Sequence, residues 1–142
     1  MKKRQRRRGI RIRGHRGHPV VTRALIRYAR WLRQTHEFPI HVPVYLSPHE
    51  EIRSIDGQLV SASFFAPWDR NLDPYIRIAT GDYRQLRRKW GRDNALAAYI
   101  VSLSHEVVHY QQWVTTNEMH ERGVIRRATS MMRRYATTVD RP

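Results

Sequence analysis

The sequence predicts an α+β domain, and three observations predict it. A helical apolar period follows Pro19, turn signals and β-formers fill residues 40–80, and helical periods return between Tyr83 and Thr137. The expected order is an N-terminal helix, a small three- to four-stranded, mainly antiparallel sheet, a long apolar helix and an antiparallel C-terminal helix. At 142 residues, 40% of them hydrophobic, the chain suits one compact domain, expected over 19–142.

The elements follow in order. Val21, Leu25, Tyr28 and Leu32 recur at i, i+4, i+7 and i+11, with Arg23, Arg27 and Arg30 on another face. This predicts a basic amphipathic helix of about 16 residues that ends before Phe38-Pro39. His41–Leu46 reads as a strand, and Pro43 places it at an edge. Asp56-Gly57 lies between Arg53–Ile55 and Gln58–Phe65, which predicts a hairpin with a two-residue turn. Tyr75–Thr80 reads as a further strand with Ile76 and Ile78 on one side and Arg77 on the other. A short helix is expected around Tyr83–Trp90. A longer one starts at Asp93 as N-cap, carries the stripe Leu96, Ile100, Leu103 and Val107, and ends near Val114. The last helix is expected from Met119 to Thr137, with Thr115 and Glu118 as a capping box.

Charge is concentrated at the amino end. Thirteen of the 27 Lys and Arg lie in the first 36 residues, which contain no Asp or Glu. Residues 1–18 have little to bury and are expected to be a disordered basic tail. Such an end suits a polyanion, so DNA or RNA is the expected partner of residues 2–33. A solvated tail that only aids solubility is the plainer reading. The first residues lack the apolar stretch of a secretory signal, no run of apolar residues is long enough to span a bilayer, and a cytoplasmic monomer is expected. Cysteine is absent, so any metal site must use His and carboxylates, a set that suits zinc.

The segment Leu103–Trp113 reads LSHEVVHYQQW and contains His105-Glu106-x-x-His109. Residues four apart on a helix share a face, so both imidazoles can reach one cation. Glu106 follows the first of them, where it can take a proton from a water that the metal has acidified. The segment is otherwise apolar, and two His and a Glu are costly to bury there without a partner. The plainer reading is a pair of core histidines bonded to backbone or Glu. His15, His18, His36, His41 and His49 have no ligand spacing.

A third ligand should come from beyond the turn after the helix. Were the chain to reverse near Thr116, the residue level with His109 would fall at 121–124. Glu121 fits and continues an inward stripe 121–125–128–132. His120 is one residue off, and Glu118 is claimed by the capping box.

HExxH with a Glu from the following helix resembles the gluzincin-type metallopeptidases. The wider string HEVVHYQQW…ERGVIRRA is similar to small bacterial and phage zincin-like proteins, over roughly residues 75–136. The resemblance implies a zincin-like fold, Zn2+ as cofactor, His105, His109 and Glu121 as ligands and Glu106 as base. Those proteins often carry a second acidic residue where this chain has Ile125. Similarity to the SprT-like proteases is partial: they share HExxH and a Trp four residues later, but their third-ligand His precedes Gly, whereas His120 precedes Glu121. The metzincin pattern fails, with Gln112 and Thr115 at its Gly and His positions. By the same resemblance Tyr75–Thr80 is the strand that would bind an extended peptide. The function expected is therefore a zinc-dependent metallopeptidase that acts on a peptide or protein substrate. The alternative is a nucleic-acid-binding protein with a non-catalytic zinc-binding scaffold.

Overall fold

A computed structural model describes residues 9–14, 16–69 and 71–142. The chain is mixed α+β. Ten elements follow one another: β1 (Ile10–Arg13), α1 (Pro19–Thr35), β2 (Val42–Ser47), β3 (Ile52–Arg53), β4 (Leu59–Val60), β5 (Ala62–Phe65), β6 (Tyr75–Ala79), α2 (Tyr83–Trp90), α3 (Arg92–Thr116) and α4 (Val124–Ala136). Strand β1 is the first departure from expectation, because composition assigns residues 10–13 to a tail. Ile10 is fully buried, and the alternation Ile-Arg-Ile-Arg pairs Ile10 with Val42 and Ile12 with Val44. Residues 1–8 and 15 of the expected tail lie outside the described residues.

The main sheet has the order β1-β2-β6-β5, with β1-β2 and β2-β6 parallel and β5-β6 antiparallel. It is thus mainly parallel, not mainly antiparallel. Two crossovers cause this: α1 connects β1 to β2, and the β3-β4 hairpin with β5 intervenes between β2 and β6, so each pair of neighbours runs parallel. Strand β2 is correspondingly interior. Pro43 is tolerated there because Val42 N–H points to Gly9 O just before β1, so position 43 faces β6, where pairing begins only at Val44–Ile76. Strand β6 is also interior, and the free edge beside α3 belongs to β5.

The Asp56-Gly57 hairpin forms between β3 and β4, but its loop spans 54–58, closed by Ser54 N–H to Gln58 O at 2.9 Å. Gly57 supplies the positive φ of 85°. The second arm breaks at Ser61, so β5 leaves this small sheet and joins the main one.

Helix α1 starts where expected. Pro19 occupies its first turn, and His18 Nδ1 accepts from Val20 N–H at 3.2 Å. Buried Thr80 ties three elements together: its hydroxyl accepts from His18 N–H at 2.8 Å and donates to Ser47 O at 2.7 Å. Just beyond it, a Cβ at position 81 would stand 2.4 Å from Pro48 O and from the His49 carbonyl carbon. Backbone cannot retreat as a flexible side chain can. Gly81→Ala is expected to cost about 2 kcal/mol or more, measured as a lower urea midpoint with an unchanged slope.

Helices α1 and α3 cover one face of the sheet, and the core joins Leu25, Tyr28 and Leu32 to Val44, Ile76 and Ile78 and to Leu96, Ile100 and Val107. Helix α3 begins after Gly91, not at an Asp93 cap, and runs two residues past Val114. It is buried on several sides because α1, α2, α4 and β5 all pack against it. Among the described residues no helix is long and apolar enough to cross a membrane.

Candidate metal centre

The centre is built on α3 and on the loop that follows it. His105 and His109 lie one turn apart, and their Nε2 atoms are 3.2 Å from each other. Glu121 reaches both: Oε2 is 3.1 Å from His105 Nε2, and Oε1 is 2.7 Å from His109 Nε2. These three side chains are the described group able to share a cation, with ligand atoms within 4.8 Å of one another. Atoms bound to a tetrahedral zinc at 2.0–2.1 Å stand about 3.3 Å apart. The triangle is close to that size.

The connection differs from expectation. Helix α4 begins at Val124, not Met119, so Glu121 sits on the loop 117–123. Two residues in the left-handed region bracket this loop, Asn117 at φ 59° and Gly123 at φ 75°. The capping box does not form. Thr115 and Thr116 belong to α3, and the Thr116 hydroxyl accepts from Glu118 N–H at 3.2 Å. The inward stripe of α4 is Val124, Ala128, Met131 and Tyr135, while Ile125 is exposed. Glu121 reaches the centre from the loop, through a route that helix periodicity does not describe. His120 also borders the cleft but is not part of the ligand group.

Gln112, which the sequence places near the site without a role, fixes both halves of the centre. Its Oε1 accepts from His120 N–H at 3.1 Å and its Nε2 donates to His120 O at 3.1 Å. Oε1 also lies 3.1 Å from His109 Nδ1. Since Oε1 can only accept, Nδ1 carries the proton, and in the neutral ring Nε2 presents a lone pair. The signal is available in the sequence, because Gln112 is three residues after His109 and so shares its face.

Burial pulls the His105 pKa down, and His109 adds to this while Glu121 opposes it. With Nδ1 protonated, His109 directs its Nε2 lone pair at the Glu121 carboxylate 2.7 Å away, with His105 Nε2 at 3.2 Å. Such a group repels itself unless something positive sits in the middle, so the donor set fits a divalent cation. A proton shared between His109 and Glu121 would relieve one contact. A metal relieves all three.

Glu106 borders the same cleft, of about 300 Å³, with Ser63, Phe64, His109, Met119, His120 and Glu121. Only 7% of it is exposed, and its carboxylate accepts no hydrogen bond from another described residue. Burial pushes its pKa up to about 7, with His109 opposing the shift and Glu121 adding to it. Tyr110 is a core residue. Its hydroxyl donates to Ile40 O at 2.5 Å and accepts from Ile40 N–H, away from the ligands.

No family model, curated protein or solved structure matches this chain. The case for a function therefore rests on the residues themselves.

Removing Gln112 tests the reading of the centre. Gln112→Leu is expected to weaken zinc binding by about 10- to 100-fold while the fold is kept, as for other groups that orient a ligand histidine. Titration with zinc against a competing chelator would measure it.

Proposed function

We propose that this chain is a zinc-dependent metallopeptidase of the gluzincin type, with His105, His109 and Glu121 as ligands and Glu106 as general base. The observation that carries the reading is the triangle of two imidazoles and a carboxylate, with a second, buried and otherwise unbonded carboxylate beside it. Bound there, zinc would supply a Lewis acid that acidifies water and polarises a peptide carbonyl. Gln112 holds His109 in the tautomer with a free Nε2 and anchors the backbone next to Glu121. Glu106, kept basic by burial, takes the proton of the attacking water and returns it to the departing nitrogen.

An extended peptide would lie against β5. The resemblance points to Tyr75–Thr80, but β6 is bonded on both sides and has no free edge. Ala79 N–H bonds to Ser61 O at 2.8 Å, so by antiparallel alternation Ala62 and Phe64 turn their N–H and C=O groups away from β6. Phe64 also borders the cleft, so a strand added at this edge passes the ligands.

The deciding measurement is metal content together with peptide cleavage. Wild type and His120→Ala are expected to retain about one zinc per chain, and Glu121→Ala to lose it. Retention of zinc by Glu121→Ala with loss from His120→Ala would reassign the third ligand.

The second reading, a nucleic-acid-binding protein with a non-catalytic zinc scaffold, is favoured by the net charge of +15. It leaves Glu106 without a purpose. Both readings give the basic amino end a polyanion to meet. Deleting residues 1–18 would remove β1 and the His18 cap, so the cleaner variant lacks residues 2–8 only, with six Lys and Arg. Its DNA binding is expected to depend less steeply on salt, by up to about 0.9 in logarithmic slope for each phosphate it no longer neutralises.

A further inference from the structure

We infer that the face of the main sheet opposite the helices is a binding surface for single-stranded nucleic acid, separate from the metal centre and drawing Arg13 and Arg16 from the basic amino end. The register sets Arg13, Tyr45, Arg77 and Ser63 side by side in one row across all four strands. Their neighbours in sequence, Ile12, Val44, Ile76 and Phe64, point to the helices, so this row points outward. Tyr45 is 48% exposed and Arg13 is exposed as well. The next row holds an aromatic pair, Phe65 stacked on Tyr75 with ring centres 4.8 Å apart, and Tyr45 meets Tyr75 edge-on at 6.1 Å.

The row ends in a hollow of about 400 Å³, lined by Arg13, Arg16, Arg77, Tyr45, Ser47 and His49 among others. Three guanidiniums and no carboxylate border it. None of the outward positions on the four strands is Asp or Glu. Acids stand at the margins: Asp56 in the β3-β4 loop, which shares a hollow with Ser63, Phe65, Tyr75 and Arg77, and Glu50, which accepts from Gln85 Nε2 at 2.6 Å. Arg77 gives one donor to Arg53 O at 2.7 Å and keeps others for a ligand.

Guanidiniums on either side of an exposed ring, with a half-buried aromatic pair beside it, match the two parts of a single strand. Phosphates take the charge, and unpaired bases stack on the rings. A duplex has its bases already stacked and would use the arginines alone. An acidic polypeptide would likewise leave Tyr45 unused.

The test uses the full chain and a fluorescent oligothymidylate, with anisotropy measured over a range of salt. Wild type should bind the single strand more tightly than a duplex of equal length. Tyr45→Ala, a truncation at an exposed position, should weaken single-strand binding about ten-fold and leave the salt slope unchanged. The double variant Arg13→Glu/Arg16→Glu should weaken binding and lower the slope by about 0.7 per arginine. Unchanged melting temperatures would show that both variants remain folded. Three results would overturn the inference: equal affinity for duplex, variants that bind like wild type, or displacement of the oligonucleotide by polyglutamate as effective as by unlabelled oligothymidylate. Because neither variant touches the ligands or Glu106, the outcome is independent of whether peptides are cleaved.

Discussion

Glu106→Gln is expected to lower peptide hydrolysis by about 10²- to 10⁴-fold while zinc stays bound. The amide is nearly the size of the carboxylate, so the buried position is filled as before and no cavity opens. What is lost is the ability to accept a proton from water. Burial makes the carboxylate a stronger base than an exposed glutamate, and the amide has no basicity to replace it. The fold should not suffer, because burying a neutral amide costs less than burying a charge. Metal content and melting temperature measured on the same sample as activity separate loss of chemistry from loss of the centre. Cleavage at the wild-type rate by a zinc-loaded Glu106→Gln would remove the catalytic assignment and leave the scaffold reading.

The second large effect is on stability. Zinc at about a thousand times its dissociation constant should stabilise the wild type by about 4 kcal/mol, a rise in melting temperature of about 10 °C for a chain of this size. A chelator should reverse it, and His109→Ala should abolish it. The sharper comparison is Glu121→Gln, for which the sign changes with the metal. In the zinc-free protein Glu121 turns a carboxylate, an acceptor only, toward two imidazole nitrogens at 2.7 and 3.1 Å. An amide can donate to a lone pair there, so the metal-free variant should melt at or above the metal-free wild type. With zinc present the order should invert, because the carboxylate ligand is gone. If Glu121 instead served a plain ion pair with a protonated His109, the substitution would lower the melting temperature without any metal. Differential scanning calorimetry with and without chelator distinguishes the two.

The helices are legible where one face alone decides them. Pro19, the 3.6-residue spacing from Val21 to Leu32 and the stop before Phe38-Pro39 place α1 within a residue or two, and Tyr83–Trp90 is expected with its observed bounds. The strands are less legible because pairing is not local. Ile10–Arg13 has the period of a strand, but it stands among arginines, and nothing in its own composition says that Val42–Ser47 will pair with it. Without that one strand, an interior β2 reads as an edge, and the parallel pairing of β2 with β6 across the intervening β3, β4 and β5 is equally invisible to local pattern. At α4, the position of Ile125 shows the same limit. Periodicity extends the inward stripe back to Glu121, whereas the chain enters the helix at Gly123 with a left-handed residue and a different phase.

The sequence alone determined the residues that can share a cation from one helix face, because a separation of four fixes His105 and His109 by helical geometry whatever surrounds them. It also determined that a carboxylate stands next to that pair. Only the tertiary structure decided how the rest closes around them: Glu121 arriving from a loop between two left-handed residues, Gln112 anchoring that loop at His120, and β5 in place of β6 as the open edge. Spacing along one helix is set by its own hydrogen bonds. The meeting of separate segments is set by packing across the whole chain, which no local pattern encodes.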